Sequence, residues 1–132
     1  MKSLPFPSPT SITVLTFGIT SFALGIATIV LPPASIIETL QVSPDALPAV
    51  RASSLAATAM GIYYTLATYQ GNTAFFAWTV PMRLLTTAVM WNQGWKGTAL
   101  WEGAGAISTA IALAWDLRGG KSDGGKGGRK TE

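Results

Sequence analysis

Two long stretches of this sequence, residues 12–31 and 52–82, hold no charged side chain. A helix resting on a water-soluble core needs a charged or polar outer face, and no segment here offers one. Charged residues are 11% of the chain, against about 25% in soluble domains. Crossing the hydrocarbon of a bilayer takes about 20 mainly apolar residues in a helix. Four segments have that length: residues 12–31, 49–69, 73–93 and 98–117. The expectation is an all-α fold, a four-helix transmembrane bundle with short loops over residues 1–118 and the lipid bilayer as its surroundings.

Proline and glycine mark the borders. Pro32-Pro33 closes the first span, because proline cannot continue the helical ladder. Residues 34–42 suit a short interfacial helix, and Ser43-Pro44-Asp45 with Pro48 forms a loop into the second span. Gln70-Gly71-Asn72 and residues 93–97 are tight turns on either side of the third span. Gly119-Gly120 is expected to stop the fourth. Residues 119–132, rich in Gly, Lys and Ser, read as a disordered basic tail. The first span is longer than the apolar part of a signal peptide. It ends in Leu-Pro-Pro where a cleavage site would need small residues, so it is expected to be retained.

Basic residues set the orientation. Lys2 lies at one end and Arg118, Lys121, Lys126, Arg129 and Lys130 at the other. Four spans leave both termini on one side, and the excess of Lys and Arg assigns that side to the cytosol. The loop over residues 32–48 then lies outside, with Glu38 and Asp45 and no basic residue. Lys96 is the exception, in a short outer turn. The net charge of +3 comes mainly from the tail and points to no nucleic-acid partner. Tyr69, Phe75, Phe76, Trp91, Trp95, Trp101 and Trp115 fall near span ends, as an aromatic belt at the bilayer surface does.

Polar residues inside the spans form stripes. Arg51, Ser54, Thr58, Gly61, Thr65 and Thr68 step by three and four and share a helical face. Thr79, Arg83, Thr86 and Gln93 share a face of the third span. Glu102, Thr109 and Asp116 recur every seven residues in the fourth, with Gly105 on the same side. Gly18, Ser21, Gly25 and Thr28 do the same in the first. Small residues let membrane helices approach closely, and that suffices for the uncharged members.

The charges need more. An ionised side chain at bilayer depth is costly and survives facing a partner or a wet cavity. Arg83 lies ~15 Å from the outer end of its span at 1.5 Å per residue. It can snorkel upward toward Glu102, one turn inside the fourth span. Arg51, Asn92 and Gln93 gather at the same outer end, and Glu38 can fold over them. Asp116, beside Arg118, suits the inner boundary, and Tyr63 or Tyr64 can offer a hydroxyl. This makes Glu102 and Arg83 the candidate catalytic pair, with Arg51, Asn92, Gln93 and Tyr63 as candidate substrate-binding residues. A buried ion pair that fixes helix register would use the same two residues.

The chain has no histidine and no cysteine. That removes Ser-His-Asp and Cys-His catalysis and zinc or haem held by those residues. No phosphate-binding glycine loop occurs. What is left is cofactor-free, metal-free acid–base work on a lipophilic substrate: isomerisation, epoxide opening, dehydration or cyclisation. Burial disfavours the charged form of a carboxyl, which suits Glu102 to the role of acid. A cationic donor such as Arg83 suits a developing oxyanion.

The block from Arg51 to Tyr64 (RASSLAATAMGIYY), followed by FFAWTVPMR from Phe75 to Arg83, resembles a family of small four-span fungal membrane proteins of unassigned domain. The matching features are Arg51, Gly61 and Arg83. The resemblance implies a place beside polyketide or terpenoid pathways, where some members are implied to be hydrolases, isomerases or cyclases. Three functions are therefore expected candidates. One is a membrane enzyme of secondary-metabolite biosynthesis. Another is a scaffold for pathway enzymes in the endoplasmic reticulum, since size and span count are similar to the four-span ergosterol-pathway scaffold. The third is a small transporter, although small four-span exporters use an acidic residue in span one and residues 12–31 have none.

Overall fold

The computed structural model describes residues 8–123. All regular structure among them is helical. Helix α1 covers Pro9–Val30, α2 Pro33–Leu40, α3 Leu47–Tyr69, α4 Thr73–Asn92 and α5 Lys96–Asp123, with one 3₁₀ turn, Pro44–Ala46, leading into α3. The four expected spans are α1, α3, α4 and α5, and α2 is the short helix expected over residues 34–42. Among the described residues, α1 is the one helix both long and apolar enough to cross a membrane. Helices α3, α4 and α5 have the length, but Ser, Thr, Gly and charged side chains dilute their apolar character.

Gly119-Gly120 does not stop the last helix, which continues to Asp123. A glycine ends a helix by turning left-handed. Gly71 (φ 61°) and Gly94 (φ 84°) do so in the turns before α4 and α5, and Gly119 does not. A glycine that keeps helical angles costs about 1 kcal/mol relative to alanine without breaking the ladder. The disordered tail expected over residues 119–132 is helical over its first five residues, and its remainder, residues 124–132, lies outside the described residues, as does Lys2.

The described residues form two compact units, residues 15–70 and residues 8–14 with 71–123. In the first, α1 and α3 meet through glycine. A Cβ on Gly61 would lie 2.6 Å from the Gly18 carbonyl oxygen and 2.8 Å from the Phe22 nitrogen. A Cβ on Gly25 would lie 2.7 Å from the Ser54 carbonyl oxygen and against the Thr58 hydroxyl. Only hydrogen atoms at these positions let the two backbones touch. Ser21 Oγ donates to the Ala57 carbonyl at 3.0 Å, and the Phe17 ring meets Tyr64 edge-on at 5.3 Å. Thr58, Thr65 and Thr68 each donate to a carbonyl one turn back in α3. Gly18, Ser21 and Gly25 of α1 and Ser54, Thr58 and Gly61 of α3 are therefore a packing surface, whereas Arg51 and Thr65 of the same α3 stripe are exposed.

The other unit is built on the α4–α5 hairpin. Asn72 caps α4 by accepting from the Phe75 N–H at 3.0 Å. Phe76, Thr79 and Arg83 are the buried face of α4. Ala99, Glu102, Ala106, Thr109 and Ala112 are the buried face of α5. Four of those five α5 side chains are Ala or Thr, so the helices approach closely. Phe76, expected in the aromatic belt, is 2% exposed and belongs to this interior.

Both units turn large apolar side chains outward. Ile19, Leu55, Trp78, Leu100, Ile111 and Trp115 are more than half exposed. Ser21, Ser54, Thr79, Arg83, Glu102 and Thr109 are buried.

Candidate functional site

The hairpin carries its charge in its interior. Arg83 Nε donates to Glu102 Oε2 at 3.4 Å, the one ion pair found among the described residues. Arg83 Nη1 donates to Thr109 Oγ1 at 3.3 Å. Glu102 and Thr109 are seven residues apart, two turns of α5, so both project onto the same stretch of α4. Arg83 is 2% exposed and Glu102 6%. The guanidinium stays protonated in any protein setting, so the carboxylate opposite it offsets a charge that would otherwise stand alone in the interior. Both contacts are at the long end of the hydrogen-bond range, and each uses a single nitrogen.

Pro81 sits inside α4, two residues before Arg83. It has no N–H to give to the Ala77 carbonyl, which interrupts the helical ladder just before the charge. Thr87, one turn after Arg83, donates its hydroxyl to the Arg83 carbonyl at 2.8 Å. Gly103, beside Glu102, leaves room for Thr87: an added Cβ there would approach Thr87 Cγ2 to 3.3 Å.

Within the hairpin, Asn92 and Gln93 do not join this pair. They stand exposed at the end of α4, ten residues and ~15 Å of helix beyond Arg83. Arg83 is held inside the hairpin by Glu102 and Thr109 and does not extend toward the exposed end of α4. Arg51 and Tyr63 are exposed on α3, in the other unit. Tyr63 is 61% exposed, whereas its neighbour Tyr64 turns inward onto Phe17. Adjacent residues diverge by about 100° around a helix, so one tyrosine of the two had to face away. Glu38 is exposed on α2.

Two further contacts were not expected from the sequence. Asp116 Oδ2 accepts the Thr10 N–H at 3.2 Å, 106 residues away in sequence. Thr10 lies in the first turn of α1, where amides have no helical partner, so Asp116 caps that helix from α5. The seven-residue recurrence of Glu102, Thr109 and Asp116 was the available signal. At the opposite end of the hairpin, Lys96 Nζ lies 3.7 Å from the centre of the exposed Trp91 ring. No cluster of three metal-ligating side chains forms among the described residues. Compared with protein-family models, curated proteins and solved structures, the chain matches none.

Proposed function

We propose that this chain is a four-span protein of the endoplasmic reticulum membrane, with both termini in the cytosol, that serves as a non-catalytic scaffold for enzymes handling a lipophilic metabolite. Apolar side chains outside and polar ones inside support a lipid environment, because hydrocarbon reverses the preference that water imposes. The observation that carries the scaffold reading is the enclosure of Arg83 and Glu102 at 2% and 6% exposure. Each is engaged with the other, and the guanidinium also with Thr109. A pair enclosed in this way fixes the register of two helices. The outward faces of the helices are left to lipid and to the spans of pathway enzymes.

A second reading is favoured by the convergence itself. A carboxylate, a guanidinium and a hydroxyl within hydrogen-bond reach are the parts of a cofactor-free hydrolase, isomerase or cyclase acting on a polyketide or terpenoid intermediate. In its protonated form Glu102 would give that proton to a leaving or epoxide oxygen held by Arg83, becoming the carboxylate that pairs with the guanidinium, once the hairpin admits a substrate.

One set of variants separates the two. Removing one partner of a buried pair costs about 3–5 kcal/mol, whereas replacing both with apolar side chains is often neutral. Under the scaffold reading, Glu102→Ala lowers the thermal stability of the detergent-solubilised protein. The Arg83→Met/Glu102→Leu double variant restores stability, membrane accumulation, co-purification of partner enzymes and product yield. Product loss in a double variant that is stable and still holds its partners sinks the scaffold reading and selects the enzyme.

A further inference from the structure

The start of α1 is held by a clasp that is only partly satisfied. Ser8 stands immediately before the helix. Its Oγ accepts the Ser11 N–H at 3.2 Å and lies 3.1 Å from Ser11 Oγ. The Thr10 N–H goes instead to Asp116 of α5 at 3.2 Å. Thr10 is 1% exposed, and its Oγ1 is buried with no hydrogen-bond partner among the described residues. A buried hydroxyl left without a partner costs free energy, and that cost opposes the capping contact beside it. One favourable contact and one unfavourable burial thus hold α1 to α5 here, so a change of local charge can release it.

We propose that Ser8 is a phosphorylation site for a proline-directed protein kinase, and that the phosphate releases Asp116 from the start of α1. The proposal rests on the cytosolic placement of the termini given above, where such a kinase and its nucleoside triphosphate are found. Ser8 is half-buried and precedes Pro9. A following proline disfavours helical angles, which leaves Ser8 in the extended shape that a kinase groove takes. In the transfer, Ser8 Oγ forms a bond to the γ-phosphorus and the bond from that phosphorus to its bridging oxygen breaks. The nucleoside diphosphate leaves, and the hydroxyl proton passes to the catalytic base of the kinase. The product carries nearly two negative charges and three acceptor oxygens at the positive end of α1. A side chain at this position reaches the amides of the first turn. The phosphate therefore competes with Asp116 for the Thr10 N–H and offers the buried Thr10 hydroxyl an acceptor. Its charge also repels the Asp116 carboxylate. Both effects act in one direction: α1 gains a cap of its own in place of the one supplied by α5.

The test uses the full chain, purified in detergent, with a proline-directed kinase and ATP. Mass spectrometry is expected to find phosphate on Ser8. Ser8→Asn keeps a capping acceptor and takes no phosphate at that position. The chain has no cysteine, so spin labels attached through Ile12→Cys and Leu117→Cys, both exposed positions, report the separation of α1 from α5. Phosphorylation is expected to raise the population at longer distance about tenfold, the equivalent of about 1.4 kcal/mol. In Asp116→Ala the longer distance is present without phosphate, and phosphate adds little to it. No phosphate on Ser8 in detergent, an unchanged distance after phosphorylation, or an equal response in Asp116→Ala would each overturn the proposal. Sealed microsomes test the topology separately, because Ser43-Pro44 offers the same dipeptide in the 32–48 loop. Kinase added outside is expected to modify Ser8 and spare Ser43. The reverse pattern overturns the cytosolic placement, and the proposal with it, even where Ser8 is modified in detergent.

Discussion

Arg83 illustrates how a single side chain is explained by what surrounds it. Its charge is balanced by Glu102, its second donor reaches Thr109, and both partners come from one face of α5. Asp116 completes the same face by holding the first turn of α1. The carboxylate also lies at the positive end of the α1 dipole, which favours it further. Capping contacts of this kind are worth about 0.5–2 kcal/mol. Asp116→Ala is therefore expected to speed amide exchange at Thr10 and its neighbours in α1 while leaving exchange in the α4–α5 hairpin unchanged. Asp116→Asn keeps an acceptor and should lose less. Equal exchange in all three proteins would remove the capping role. The heptad recurrence of Glu102, Thr109 and Asp116 was legible beforehand as a shared face. That Arg83 reaches Glu102 was expected from their charges; that it also reaches Thr109, and that the Thr10 amide lies opposite Asp116, was not, because spacing along one helix says nothing of its neighbour.

Glycine has opposite roles in different helices. At Gly61 an added Cβ would strike the Gly18 carbonyl and the Phe22 nitrogen, both backbone atoms that cannot rotate away. Gly61→Ala is expected to cost the 1–3 kcal/mol typical of overpacking, or about that order, seen as a lower melting temperature in detergent. At Gly119 nothing lies within 4 Å of the added Cβ. Gly119→Ala should instead stabilise the end of α5 by about 1 kcal/mol and raise helicity by circular dichroism. A reversed order of the two variants would contradict the packing described here. The stripe Gly18, Ser21, Gly25 and its counterpart on α3 were visible as small residues at helical spacing. The stop expected at Gly119-Gly120 was not met, because glycine permits a left-handed turn without enforcing one.

The distribution of polarity across the molecule speaks for a lipid surrounding, and topology is its test. With Asn-linked glycosylation acceptors inserted singly, a site in the 32–48 loop is expected to be modified and sites near either terminus are not. Modification at one terminus and not the other would indicate an odd number of crossings and sink the four-span arrangement. Alkaline extraction should leave the protein in the membrane pellet. Such outcomes depend on segment length and on the placement of Lys and Arg, both of which are properties of the linear chain.

Those same linear properties were enough to place the helices, their turns and the faces that carry polar side chains, because helix periodicity and the cost of burying charge act locally along the sequence. Which polar residues meet depends on how helices pair and rotate about their axes. The folded arrangement brought Arg83 to Glu102 as the sequence suggested, and only it added Thr109, joined Asp116 to Thr10 and left Asn92, Gln93, Arg51 and Tyr63 exposed. The physical reason is that close packing and pairing of buried charge are satisfied between helices, by groups far apart in the chain.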